Sequence, residues 1–461
     1  MIVDIKEKIT NYLNKGHERT ALTKKNIFAS FGIKGITILI SFILIPLTIN
    51  YVNSERNGIW LTLYSMAFWL NLFDIGLGNG MKNRVAEAKA QNNDSLVRKY
   101  ISSTYAIFGL ICMGVAILFC VVNPYLDWIK ILKTVPAVYS EEVSMLIWII
   151  FISFCFTFIL NLLKQVVTAD QRPAIAAFLD MLGQLLTLIG IFILSKTVPP
   201  SLVSLGWITG FAPVVVFLIA NIVLFNTRYK AWRPSFKFVD FKIAGNMIDL
   251  GIKFFIASIS SLLVMQSLPF LIQWMTTPVE VTNFNVSFKV FSMALNVVSI
   301  VVFPYWSSFT DAYAQNDYNW MKKSIRSLYR AFIILWVVQL VVLVLSPVIY
   351  YLWINFWLKG SSNTLDISFW MSASVCIFVC ALCWLNICIY PLNGIGKIRL
   401  QVYSSIVEMI LFIPVALYLG KIWGVVGIIL SPVVVYFPRM IWAPIQLKKL
   451  INRTATGIWN K

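Results

Sequence analysis

Three lysines stand inside long apolar runs: Lys34 in "FGIKGITILISF", Lys253 in "GIKFFIASIS" and Lys289 in "NVSFKVFSMALNVVSIVVF". A charged side chain at the centre of a bilayer costs roughly 2.5–3.5 kcal/mol on insertion scales, so each needs a reason to be there. The chemistry an ammonium offers in such a place is capture of an anion, as a point charge for phosphate. The residues around each lysine fit that use. Thr37, Ser41 and Thr48 follow Lys34 at i+3, i+7 and i+14, on one helix face. Ser260 and Ser267 repeat the stripe below Lys253. Asn285, Lys289, Ser292, Asn296 and Ser299 fall at i, i+4, i+7, i+11 and i+14, with Lys289 roughly 12 Å from the outer end at 1.5 Å per residue. The candidate anion-binding set is therefore Lys34, Lys253, Lys289, Ser41, Ser260, Asn285 and Asn296. The competing reading is that Lys34 and Lys253 reach back to the nearby membrane surface, and that the small polar residues bond helix to helix.

Acids inside the runs are fewer. Asp180 in "AFLDMLGQLL" and Glu408 in "SIVEMILF" could each hold a coupling proton or Na⁺, or pair structurally with a lysine. Asp74, beside Asn71, reads as a cytoplasmic helix-end residue. Arg439 reads as reaching the surface or a lipid headgroup. Other chemistry is excluded by context. "GLGNG" follows a membrane helix, not the strand that a dinucleotide fingerprint requires, and no P-loop occurs. "CIFVCALCWLNIC" has no polar flank, so its cysteines read as small apolar residues without disulfides. The one histidine, His17, rules out a paired-histidine metal site. No metal and no cofactor is expected, beyond H⁺ or Na⁺ coupling at Asp180 or Glu408.

The elements that must position these residues are membrane helices. The chain has 461 residues, 59% hydrophobic and only 12% charged, against about 25% charged in a soluble domain. Twelve runs approach the ~20 residues that cross a bilayer as helix: 27–49, 58–77, 100–122, 143–163, 174–195, 202–225, 250–275, 281–304, 328–352, 366–390, 400–420 and 424–445. The first is too long for a signal-peptide core, so it is expected to be retained. With the N-terminus placed in the cytoplasm, the inner segments hold 27 Lys and Arg and the outer loops six, with five inside spans. That asymmetry predicts a multi-pass protein of the cytoplasmic (inner) membrane with both termini cytoplasmic. The net charge of +19 thus reports membrane topology and no nucleic-acid partner.

The spans repeat. "EAKAQN" at 87–92 matches "DAYAQN" at 311–316, 224 residues later. "GIK" recurs at 32 and 251, "PVVV" at 213 and 432, and Asn161 pairs with Asn386. Such spacing implies two six-helix halves of the same topology, parallel repeats about an axis along the membrane normal. The predicted fold is an all-α integral membrane protein of twelve helices in two six-helix bundles. Its expected parts are an amphipathic cytoplasmic segment 1–26, bundle 27–225, cytoplasmic linker 226–249, bundle 250–445 and basic tail 446–461.

Two six-span halves, a cationic interior and "LFDIGLGNGMKNRVAEAKAQNN" after the second span resemble the Wzx-type polysaccharide flippases, in the superfamily that also holds the multidrug and toxin extruders. The resemblance implies alternating access through a central cavity. Its implied substrate is an undecaprenyl-diphosphate-linked oligosaccharide, moved from the cytoplasmic to the outer leaflet for O-antigen, capsule or another surface glycan. The partners it implies are that lipid-linked oligosaccharide, membrane lipids and a glycan polymerase of the same pathway, with the chain itself a monomer. The lipid II flippases of the superfamily carry two further C-terminal helices, which sets them apart from a twelve-span reading. A cation-coupled multidrug exporter of the same fold is the alternative, although a cationic cavity suits an anion better than lipophilic cations. A membrane glycan polymerase or ligase is a third class, and the short outer loops without histidine speak against it. The chain therefore reads as a transporter and not an enzyme.

Overall fold

The structure, a computed structural model, describes residues 18–69, 77–355 and 365–460. Among these, nine helices are long and apolar enough to cross a membrane. Two of the nine are double. α1 (Glu18–Ala67) breaks at Asn53, and α13 (Arg399–Ile451) breaks at Gly424. Between them run α2 (Leu77–Ala90), α3 (Asp94–Val122), α4 (Ser140–Leu160), α5 (Leu162–Ala169), α6 (Pro173–Thr197), α7 (Leu202–Asn226), α8 (Lys242–Met275), α9 (Pro278–Phe291), α10 (Met293–Ala314), α11 (Tyr318–Tyr350) and α12 (Phe369–Ile395). Helix dominates because a lipid-facing backbone must satisfy its own hydrogen bonds.

The break at Asn53 shows how two spans join without a loop. Its φ of 73° and ψ of 172° place it in a strained region that few residues other than glycine occupy. Its side-chain oxygen then accepts from the Arg56 N–H at 2.9 Å, capping the second limb. At Gly424, φ 58° does the same work with the residue that needs no side chain to be accommodated.

Two compact units are present. The first comprises Met1–Val52, Leu70–Trp128 and Val138–Phe255. Its core gathers Leu77, Met81, Val85, Ile101, Phe108, Leu163 and Val166. Small residues bring its helices close: a Cβ on Gly210 of α7 would lie 2.7 Å from Ser153 Oγ of α4. The second unit comprises Asn53–Trp69, Ile129–Ala137 and Ile256–Lys461. The second limb of α1 is tied into it by polar contacts. Asn57 Nδ2 donates to Thr282 Oγ1 at 3.2 Å, and Thr282 Oγ1 donates to the Ser54 carbonyl at 2.6 Å. A Cβ on Gly394 of α12 would meet the Trp306 carbonyl oxygen at 2.3 Å, so α10 and α12 pack on backbone there.

The "AQN" echo has a structural cause. Asn92 and Asn316 both take left-handed φ, 54° and 57°. In each copy the next residue's N–H reaches back to an alanine carbonyl, Asn93 to Ala88 at 3.0 Å and Asp317 to Ala312 at 2.8 Å. That is a left-handed C-cap with its six-to-one bond. The same residues then start the next helix. Asn93 Oδ1 accepts from Leu96 N, and Asp317 Oδ1 from Trp320 N, both at 3.0 Å. Each copy thus ends one helix and opens the next within three residues.

Replacing Asn92 or Asn316 by valine should lower stability by about 1–2 kcal/mol, the cost of a left-handed branched residue, whereas glycine should be tolerated. Thermal unfolding of the purified variants in detergent checks this.

Candidate functional site

Lys34 lies on the first limb of α1 and is exposed. The hydroxyls of its stripe are spent on their own helix. Thr37 Oγ1 donates to the Ile33 carbonyl, Ser41 Oγ to Ile38 and Thr48 Oγ1 to Leu44, all within 2.7–2.8 Å. A hydroxyl so engaged retains its lone pairs as acceptors. Lys253 lies on α8, and its side chain falls outside the described residues. Lys34 and Lys253 belong to the first unit and Lys289 to the second.

The eighth span is two helices, not one. α9 ends at Phe291 and α10 begins at Met293, with Ser292 at the junction. Ser292 Oγ donates to the Lys289 carbonyl at 3.2 Å, and Asn296 Nδ2 donates to the Ser292 carbonyl at 3.3 Å. Asn285 and Lys289 are half-buried and Asn296 is exposed. The predicted polar face therefore straddles a helix junction, and two of its members serve that junction directly.

The strongest polar cluster of the second unit surrounds Glu408. Arg439 Nη2 stands 2.6 Å from Glu408 Oε2 and 2.7 Å from Ser405 Oγ. Ser260 Oγ donates to the same carboxylate oxygen at 3.2 Å. All four residues are buried, Arg439 at 5% and Glu408 at 3% exposure. The two limbs of α13 are thereby tied to each other and to α8. This corrects the expectation that Arg439 reaches the surface or a headgroup. A guanidinium with a carboxylate in reach loses less by pairing inside than its stem loses by stretching to water. Ser260 meets Glu408, so its hydroxyl orients an ion pair. Gln401, Ser405 and Glu408 fall at i, i+4 and i+7, a spacing that could have marked this face; Glu408 and Arg439 each stood out as charges in apolar runs, but not their proximity.

Asp180, half-buried on α6, is paired with Lys164 at 2.6 Å. The Lys164 ammonium also lies 4.8 Å over the Phe217 ring. Of the two spanning acids, Glu408 is thus held by an arginine and Asp180 by a lysine. Asp74 lies outside the described residues.

One further ionic cluster was not foreseen. Asp170, at the α5–α6 turn, is 8% exposed and faces three cations. Lys89 of α2 pairs with Oδ1. Arg172 Nε and Arg228 Nε approach Oδ2 at 3.3 and 3.4 Å, and the Tyr229 hydroxyl donates to it at 2.9 Å. Burial pushes the Asp170 carboxyl up, but hydrogen bonds from Lys89 and Tyr229 and the charges of Lys89 and Arg228 outweigh it. The net position is below the ordinary 3.8. Trp232 Nε1 adds a 2.8 Å bond to Asp94. The charged segment after the second span therefore works as one side of a clasp across the helix ends of the first unit.

A family model described as polysaccharide biosynthesis protein matches residues 23–310. Among curated proteins no sequence match is found. Among solved structures, an inward-facing multidrug resistance MATE family transporter of the MOP superfamily superposes with TM-score 0.76 at 13% identity, covering 93% of this chain and 100% of its own. An outward-facing structure from the same family gives 0.58 at 13% identity, covering 91% and 97%. A Vibrio cholerae MATE transporter mutant gives 0.60 at 14%, covering 95% and 100%. The twelve-helix, two-bundle membrane fold is thus shared with the MATE transporters.

Two predictions follow from the ion clusters. Arg439→Met should destabilise the protein by about 3–5 kcal/mol because it strands a buried carboxylate, and adding Glu408→Gln should recover much of the loss; a double-mutant cycle of unfolding measures both. Because the Asp170 value is lowered, its stabilisation is complete above its ordinary 3.8 and is lost as pH falls through the lower folded value. Asp170→Asn should remove that acid-sensitive component, read as a flatter stability profile at low pH.

Proposed function

The chain belongs to the polysaccharide biosynthesis protein family, and from that premise we propose that it flips a lipid-linked anionic oligosaccharide across a bacterial cytoplasmic membrane. The observation that carries the reading is the family match over 23–310, a range that contains Lys34, Lys253 and Lys289. Both termini lie in the cytoplasm on this reading, and the protein works as a monomeric multi-pass transporter that performs no covalent chemistry.

Lys34 and Lys253 take the diphosphate headgroup of an undecaprenyl-linked substrate at the cytoplasmic side. Lys289, Asn285 and Asn296 take it, with its sugar hydroxyls, deeper in the membrane, and Ser41 offers acceptor lone pairs on the way. The chain alternates access to the two sides while the lipid tail stays in the bilayer. An inside-negative potential assists outward anion movement by about 2.3 kcal/mol per charge per 100 mV. Coupling to H⁺ or Na⁺ falls to Asp180 before Glu408. Both carboxylates are paired at 2.6 Å, but the Asp180 side chain is 46% exposed and open to exchange, whereas that of Glu408 is 4% exposed. The product then passes to the enzyme that polymerises such glycans at the outer face.

Single Lys34→Ala, Lys253→Ala and Lys289→Ala variants should each lower surface glycan about tenfold or more at equal protein level, the expected cost of one charge-assisted hydrogen bond. Full export by all three would refute the lysine site. A change in drug resistance with glycan intact would favour a multidrug exporter.

A further inference from the structure

On α11, Lys322, Arg326 and Tyr329 fall at i, i+4 and i+7 and so share a face. Near the end of α13, Ile445, Lys448 and Ile451 face them across a cavity of about 440 Å³. The three cations are exposed, and no carboxylate lines the cavity. Among the described residues, none of the three takes part in an ion pair. Neighbouring cations are engaged elsewhere. The Lys449 ammonium lies 4.4 Å over the Trp459 ring and the Arg453 guanidinium 4.3 Å over Tyr318. Positive charge is therefore concentrated at the rim of one cavity with an apolar floor.

The repeat supplies a comparison. Arg98, Ser102 and Tyr105 of α3 precede Lys322, Arg326 and Tyr329 by the same 224 residues as the "AQN" pair. In the first unit that face is served by the chain itself. Arg98 Nε donates to the Arg233 carbonyl at 2.9 Å, and its guanidinium lies 4.2 Å over Phe238. Ser102 Oγ accepts from the Ser235 N–H at 3.1 Å. In the second unit the equivalent place holds one more cation, Arg326, plus Lys448 from α13.

We infer that the α11–α13 cavity binds an anionic phospholipid of the leaflet on the basic side of the membrane. Its phosphate sits among Lys322, Arg326 and Lys448, and an acyl chain lies over Ile445 and Ile451. Basic pockets between membrane helices at this level bind acidic headgroups, and the apolar floor selects a lipid over a free anion. The ligand is distinct from the transported substrate and makes no use of Lys34, Lys253 or Lys289.

The test is lipid binding by the full-length protein in detergent, read by native mass spectrometry with phosphatidylglycerol against phosphatidylcholine. The wild type should retain phosphatidylglycerol selectively. The K322Q/R326Q/K448Q variant should lose about a hundredfold in affinity, K322R/K448R should keep it, and K230Q/R233Q/K237Q, which removes three cations from the same side, should stay within about threefold of wild type. Equal loss in both glutamine triples would overturn the site. So would equal retention of phosphatidylcholine, or full displacement of phosphatidylglycerol by inorganic phosphate.

Discussion

The cost of a formal charge inside a bilayer organises this molecule. Glu408 and Arg439 are nearly inaccessible, and each is tolerable because the other is 2.6 Å away. Removing one partner from such a pair is far costlier than replacing both with apolar residues. The pair spans the two limbs of α13 on either side of the Gly424 break, so it fixes a hairpin that the backbone alone would leave free. Ser260 donates a further bond to the carboxylate and Ser405 accepts one from the guanidinium, while Arg439 Nε is buried without a hydrogen-bond partner among the described residues. Lys164 and Asp180 repeat the solution in the first unit with more access to solvent, where such a pair contributes less.

The two halves keep the same backbone devices while their side-chain chemistry has separated. Asn92 and Asn316 end their helices identically, and the turn after the fourth span takes left-handed φ at Gln171, as does its counterpart at Gly396. Among the described residues, the clasp around Asp170 has no ionic equivalent in the second unit. The positions 224 to 225 residues after Lys89 and Asp170 are Tyr313 and Ile395. There the second unit packs rings and aliphatic chains instead, including Phe309 against Trp320 at 5.4 Å and Ile395 in a buried apolar cluster. Hydrophobic contact and a buried carboxylate with three cations are alternative ways to close a helix end.

The fold was legible because lipid leaves few options: long apolar runs must be helices, and the repeat is written in caps that depend on particular residues such as the asparagine of "AQN". The tight joints were less legible. Residues 50–57 read as a loop, yet Asn53 turns the chain in a single residue. The Glu408–Arg439 pair was half visible, since both residues stood out as charges in apolar runs, but their proximity depends on the hairpin at Gly424. Asp170 gave no local signal, because its partners come from α2, the α5–α6 turn and the end of α7. Single-residue spacing reveals a face of one helix and is silent on what another helix brings to it.

The reading of function rests on intramembrane lysines serving an anionic, lipid-borne cargo. The most direct measurement is transbilayer movement of a diphosphate-linked oligosaccharide lipid in proteoliposomes containing only this protein, followed by accessibility of the sugar from outside. The account predicts protein-dependent movement that accelerates with an inside-negative potential and collapses when Lys34, Lys253 and Lys289 are neutralised together. Movement no faster than in protein-free vesicles, or movement indifferent to loss of all three charges, would contradict it.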